Sequence, residues 1–240
     1  ENVKTETIFT HSGFKEINNK WVFLHSNGAL GATGNDESIK VDLMMSQLNA
    51  YCLEFEPDQE KLKEFVKNVL DLLKLAPDYI MFPLIARNFR TPLSFIEPVG
   101  SVFYLTGPTG CFKSTLLALK LSFFGRGFTY NRLPGNFEST ANSIENIGFR
   151  LKDLAFGLDD LAPDGSLADV QAKGRMAARI IRATGNGEGS GRNRMNVDGT
   201  LRNAFFFRCT ADVTAEDVVK GSSVRARCLI IPMNRGDING

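Results

Sequence analysis

The stretch Val102–Leu119, VFYLTGPTGCFKSTLLAL, constrains this chain more than any other. An apolar run fit for a buried strand passes into a loop carrying Gly107 and Gly110. Lys113-Ser114 then opens a segment, 114–124, that is apolar on nearly all faces, as a helix sandwiched against a sheet would be. A polyphosphate needs several converging backbone N–H groups and the positive end of a helix dipole. Glycines let the backbone approach closely, Lys113 can reach the outer phosphates, and Ser114 can place its hydroxyl on Mg²⁺. The nucleotide-cradling residues are therefore Gly107, Pro108, Thr109, Gly110, Cys111, Phe112, Lys113, Ser114 and Thr115. Phe112 departs from the pattern, because it stands where the second glycine of the motif belongs; nucleotide affinity is the property it puts at stake. The plainer alternative for such a stretch is a structural glycine turn.

A second element, DLAFGLDDLAP, reads as an apolar strand over 154–158 ending in Asp159-Asp160. Two carboxylates at the mouth of a buried strand are costly unless a cation or hydrogen bonds satisfy them. They lie 46 residues beyond Lys113, room for one or two βα units. Asp159 is assigned to Mg²⁺ through water, beside the Ser114 hydroxyl, and Asp160 to orienting an attacking water. An exposed strand-end turn closed by Pro163 is the bland alternative.

Around these motifs strand-like and helix-like segments alternate, the mark of a parallel α/β sheet. Helices are expected over 141–151 and 168–183, and further buried strands over 204–208 and 228–231. Before residue 96 the pattern differs. Two β-prone runs flank Asn18-Asn19, which predicts a hairpin or small meander. Asp58 can cap a helix over 59–75 whose stripe of Leu62, Phe65, Val66, Val69, Leu72 and Leu73 should face a core. A second helix from Tyr79, broken or kinked near Pro83, should be buried on most sides. The division expected is 1–95, a β-hairpin and helical accessory region, and 96–240, the nucleotide-binding core. Residues 36–64 hold eight acids against three lysines and read as a solvated face.

Residues 174–202 are locally basic, with six arginines against two acids. Asp198-Gly199 is a tight-turn signal between short arms, so Arg192, Arg194 and Arg202 are candidates for sequence-independent contacts to a phosphate backbone. Pairing with carboxylates of a neighbouring subunit is the competing reading. Thr210, at the end of the expected strand 204–208, is a candidate to sense the γ-phosphate. Arg227, or alternatively Arg225, lies just ahead of the last strand and could be aimed at a neighbour's nucleotide, where a guanidinium stabilises transferring phosphate.

Whole-chain composition adds limits rather than direction. With 28 Lys+Arg against 27 Asp+Glu, the net charge of +1 gives no global pull toward nucleic acid, so that signal must be local. No apolar run approaches the roughly 18–20 residues of a membrane span, and the start shows no secretory leader. The four cysteines are scattered, with no C-x-x-C pair, and read as free thiols of a cytoplasmic protein. His11, His25 and Trp21 lack ligand spacing and read as packing or surface residues. The start without Met and the abrupt end lead us to expect a piece of a longer protein.

Taken in order, GPTGCFKST, LAFGLDDL, the Gly/Arg-rich segment, FFFRCTAD and SSVRAR resemble the ATPase core of AAA+ and superfamily 3-type helicases. More narrowly, they are similar to ATPase domains in primase–helicase proteins of phages, plasmids and mobile elements. The resemblance covers 96–240 well and the N-terminal part only vaguely. It implies a P-loop NTPase fold, with a parallel sheet flanked by helices. It also implies ATP and Mg²⁺ as ligands, single-stranded DNA as a partner, a hexameric ring, and a primase or replication initiator, possibly on the same polypeptide. It carries nucleotide binding onto Gly107, Gly110, Lys113 and Ser114, metal and water activation onto Asp159 and Asp160, sensing onto Thr210, and the inter-subunit finger onto Arg227. The channel hairpin falls on Arg192 and Arg194. Two other readings stay open, an ATP-switched DNA-binding initiator or loader without processive unwinding, and a P-loop kinase.

Overall fold

Asn18 and Asn19 both adopt left-handed backbone, φ 50° and 61°, the conformation a two-residue hairpin turn requires. In the computed structural model, which describes residues 6–162, 165–186 and 205–238, this turn joins two strands of an N-terminal sheet. After a short strand β1 (Ile8–Phe9) come β2 (Gly13–Ile17), β3 (Lys20–His25), β4 (Gly28–Gly31) and β5 (Gly34–Asp36), an antiparallel four-stranded meander. A two-residue strand β6 (Lys40–Val41) pairs in parallel with β1.

Helix α1 (Gln59–Asp71) starts where expected, because the Asp58 carboxylate accepts from the Glu60 and Lys61 amides at 2.9 and 3.4 Å. Its apolar stripe does not face a core. Leu62, Phe65, Val66 and Leu70 are exposed, and only its end, with the turn that follows, reaches apolar neighbours through Val69, Leu72 and Leu73. Amphipathic spacing names a face to be covered but not what covers it. Helix α2 (Asp78–Arg90) runs unbroken through Pro83. Ile80, Met81, Leu84 and Ile85 are buried while Tyr79, Phe82 and Phe89 stand out, so it is covered on one side rather than most.

The remaining elements in chain order are β7 (Val102–Thr106), α3 (Lys113–Leu121), β8 (Gly135–Asn136), α4 (Ala141–Arg150), β9 (Ala155–Leu161), α5 (Leu167–Asn186), β10 (Thr210–Ala215), α6 (Ser222–Arg225) and β11 (Cys228–Pro232). The five strands form one parallel sheet in the order β11-β7-β10-β9-β8, flanked by helices, which is the α/β architecture expected. β7 is buried at every residue, as a central parallel strand should be. The N-terminal meander shares the main core: Phe23, Leu43, Leu48 and Tyr51 pack with Phe156, Ala155 and Leu158, and the Tyr51 hydroxyl donates to the Ala155 carbonyl at 2.7 Å.

Two strand limits differ from the sequence reading, and both move site residues. β9 continues through Asp159 and Asp160 to Leu161 rather than stopping before them. The strand expected over 204–208 instead starts at Thr210. The rings of Phe205 and Phe206 turn outward against Phe149, so this aromatic run is a side-chain stack ahead of the strand.

Candidate functional site

Because β7, β9 and β10 are parallel, their C-terminal ends converge on one edge of the sheet, where the loop 107–112 also lies. A cleft of about 370 Å³ opens there, lined by Thr109, Lys113, Ser114, Asp159, Asp160 and Thr214 among others. The loop path depends on Gly107, whose Cβ, if present, would sit 2.1 Å from the Met233 carbonyl oxygen. Gly110 takes φ 86°. Phe112 takes φ 63° and ψ 26°, the left-handed conformation a glycine would supply at that point of the motif, so the substitution leaves the backbone route open to α3. Its ring is 55% exposed at the cleft and does not fill it.

Lys113 folds back onto its own loop, donating to the Gly107 and Pro108 carbonyls at 2.6 and 3.0 Å. Ser114, in the first turn of α3, donates to Asp159 Oδ1 at 2.8 Å. Asp159 and Asp160 face the same cleft although they are adjacent in a strand, where side chains should alternate. Strand pairing explains this: Leu158 is level with Val213 and Leu161 with Ala215, so the two aspartates oppose Thr214 alone. That is a β-bulge, with Asp160 at φ 65°. Thr214 ties it together: its hydroxyl donates to Asp159 and accepts the Asp160 amide at 3.2 Å.

Thr210 stands elsewhere. It begins β10, level with Ala155 at the opposite end of the sheet, fully buried, with its hydroxyl 2.9 Å from that of Thr91. The β10 threonine at the cleft is instead Thr214, four residues on. Placing the strand too early hid Thr214; the alternation of Thr210, Asp212 and Thr214 in TADVTA was the available signal. Glu216, just past β10, also lines the cleft and accepts a hydrogen bond from the Thr109 hydroxyl.

Arg227 precedes β11 at the end of the sheet away from the loop. It donates to Asn186 Oδ1 at 3.0 and 3.2 Å and to the Ser223 carbonyl at 2.8 Å. Arg225 is exposed at the end of α6. Neither reaches the cleft of its own chain. Arg192, Arg194 and Arg202 lie outside the described residues, as does Pro163.

Beneath the cleft lies an ionic group that sequence reading missed. Lys120 of α3 donates to Asp212 of β10 at 2.6 Å, both fully buried, and Arg87 of α2 approaches the other Asp212 oxygen at 3.6 Å. Burial lowers the Lys120 and Arg87 pKa values, and the neighbouring carboxylate opposes that shift. The group joins the loop helix, the Thr214 strand and the accessory helix.

The Ser114 hydroxyl and the Asp159 carboxylate are hard oxygen donors suited to Mg²⁺, which keeps several waters and phosphate oxygens among its ligands. Among the described residues no cluster of three His, Cys, Asp or Glu side chains forms a dedicated metal cage. No helix among them is long and apolar enough to cross a membrane.

No family model and no curated protein matches the chain. Among solved structures it is similar to the active helicase Cch of SCCmec type IV, with 16% identity over 100% of this chain and 42% of that one, at a TM-score of 0.54. The JCV helicase matches 72% of the chain and 45% of its own at 15% identity and a TM-score of 0.40. The C-terminal region of NrS-1 covers 90% of this chain and 57% of that one, at 13% identity and a TM-score of 0.41. The likeness to Cch shows the fold. This chain spans under half of that protein's length.

Proposed function

We propose that the chain is an ATP-hydrolysing motor domain acting on DNA, part of a ring-forming replicative helicase of a mobile genetic element. One observation carries the reading: Ser114, next to Lys113 in the first turn of the loop helix, is bonded to Asp159 in a cleft that also holds Asp160 and Thr214. Charge, hydroxyl and carboxylates thus meet where a phosphate chain would enter the positive end of α3.

In this reading Lys113 exchanges its loop carbonyls for phosphate oxygens, and the loop amides hold the rest of the chain. Ser114 and, through water, Asp159 would hold Mg²⁺, which when bound would offset charge on the transferring phosphate. Asp160 orients the attacking water, and Thr214 fixes both carboxylates through the bulge. Arg227, with Arg225 as the alternative, serves the neighbouring subunit's nucleotide, since its own cleft is at the far end of the sheet. Single-stranded DNA contacts fall to Arg192, Arg194 and Arg202. The hexamer and a primase or initiator on the same polypeptide belong to this proposal as well.

The test is ATP hydrolysis with and without single-stranded DNA, alongside solution mass with and without a non-hydrolysable nucleotide. DNA-stimulated turnover lost in Lys113→Ala, with nucleotide-dependent assembly, supports the proposal. Absence of Mg·ATP binding by the wild-type chain sinks it, and assembly without strand displacement by the full-length protein leaves only a loader.

A further inference from the structure

The charged lining of the cleft is short of positive charge. Among the described residues it sets Lys113 against Asp159, Asp160 and Glu216, a net of −2 before any ligand enters. A divalent ion brings the pocket only to neutrality, yet a nucleoside triphosphate adds several negative charges, which a cation from the same chain would help to balance.

The loop after β11 offers one. Arg235 donates through Nε and an Nη to the Thr109 carbonyl at 3.2 and 3.1 Å, and its Nε lies 4.0 Å from where a Gly110 Cβ would be. The side chain is exposed and has no carboxylate partner among the described residues. Nearby Asp237 is taken up by the Tyr79 hydroxyl at 2.9 Å and the Asn234 amide at 2.6 Å. Arg235, just outside the cleft lining, resembles Lys113 in capping carbonyls of the loop: Lys113 caps those of Gly107 and Pro108, Arg235 that of Thr109. The position is fixed, because β11 pairs with β7 up to Pro232 and Thr106, and the Met233 amide donates to the Thr106 carbonyl at 2.7 Å.

We propose that Arg235 is a second cation of the phosphate site, acting within its own chain, with a guanidinium N–H reaching a phosphate oxygen of the bound nucleotide. A guanidinium suits this because its fork can hold the carbonyl and a phosphate oxygen together. The inference rests on the nucleotide-binding reading above. It also makes β11 a short link between Arg227, assigned above to a neighbour's nucleotide, and Arg235 at the chain's own site.

Calorimetric titration with Mg·ATP, paired with thermal melting, tests it on the wild type, Arg235→Ala, Arg235→Gln and Arg235→Lys. A charge-assisted bond to phosphate predicts about tenfold weaker binding in the alanine and glutamine variants, with lysine intermediate and melting unchanged. Wild-type affinity in Arg235→Ala overturns the proposal. So does weak binding in alanine that glutamine restores, since glutamine can still cap Thr109 and only a structural role would then remain. Mixing Arg235→Ala with Lys113→Ala chains must leave binding weak; recovery would place Arg235 in a neighbour's site. A wild type that binds no Mg·ATP fails the nucleotide reading itself, a result distinct from all of these.

Discussion

Ser114 Oγ lies 2.8 Å from Asp159 Oδ1, a bond across 45 residues that joins the first turn of the loop helix to a bulge in the neighbouring strand. In the function proposed above both oxygens would serve Mg²⁺, so the direct bond would have to yield to the metal and its waters. Asp159→Asn keeps the shape and a hydrogen bond to Ser114 but removes the charge. The variant should melt like the wild type while ATP turnover falls by about 100-fold or more, the scale for loss of one charge-stabilising group at a reacting centre. Steady-state hydrolysis at saturating Mg²⁺, read beside a melting curve, checks it.

Two threonines on one strand separate site from scaffold. Thr214→Val removes the hydroxyl that accepts the Asp160 amide and donates to Asp159, so the bulge loosens. We expect turnover to drop at least about tenfold, with a stability cost of about 1–3 kcal/mol for the two lost hydrogen bonds. Thr210→Val, at the buried end beside Thr91, should cost about 0.5–1.5 kcal/mol and leave turnover per folded molecule unchanged. Urea melts and hydrolysis rates on the two variants distinguish them, and equal losses of activity would remove the distinction drawn here.

The loop and helix from Gly107 to Leu121 were legible because each step has a local cause: an apolar strand, residues with left-handed backbone, a lysine and hydroxyl at a helix start. The Asp58 cap and the Asn18-Asn19 turn were legible for the same reason. What stayed hidden depends on register. Nothing local in GLDDLA says that both aspartates will oppose one residue, because a bulge is a relation between two strands. Thr214 was missed because the strand was placed to start six residues early, where three consecutive phenylalanines mimic a buried run. Lys120, Asp212 and Arg87, at widely separated positions, meet only in three dimensions. The stripe on α1 was visible as a pattern, but spacing does not reveal what lies opposite it.

That buried ionic group predicts an asymmetry. Asp212→Ala leaves Lys120 fully buried and unpaired, with Arg87 also losing its carboxylate, and should destabilise the chain by about 3–5 kcal/mol. Lys120→Met keeps similar volume, and Asp212 retains Arg87 at 3.6 Å, so the loss should be smaller. Chemical denaturation of both variants measures the order. The reverse order would mean that Arg87 does not serve the carboxylate.

His25 gives the N-terminal meander a pH dependence. The ring is buried, its Nδ1 accepts the Asn27 amide at 3.3 Å, and its Nε2 has no partner among the described residues, so burial lowers its pKa from the usual 6.5. A base whose folded pKa lies below its unfolded value binds fewer protons when folded. Its stabilising share is full above 6.5 and is lost as pH falls through the folded value. Half-buried His11 shifts the same way, again chiefly through burial. Melting temperature should therefore decline on acidification from pH 7.5 to 5.5, and decline less in His25→Leu. Parallel curves for the two proteins would assign the acid sensitivity elsewhere.

Phe112 and Gly107 test whether the loop is set by backbone or by side chain. A non-glycine residue at φ 63° carries a strain of roughly 1–2 kcal/mol, while glycine there costs about 0.5–1 kcal/mol in chain entropy. With its ring half exposed, Phe112 has little burial to lose. Phe112→Gly should therefore melt at the same temperature or slightly higher, with Mg·ATP affinity unchanged or tighter. Phe112→Val, branched at Cβ, should melt lower. Gly107→Ala meets the Met233 carbonyl instead, at a distance no side-chain rotation relieves, so β11 and the loop must part. That substitution should cost at least about 2 kcal/mol and weaken nucleotide binding along with it. Should Phe112→Gly prove the more damaging of the two, the aromatic ring, not the left-handed backbone beneath it, would be what the loop depends on.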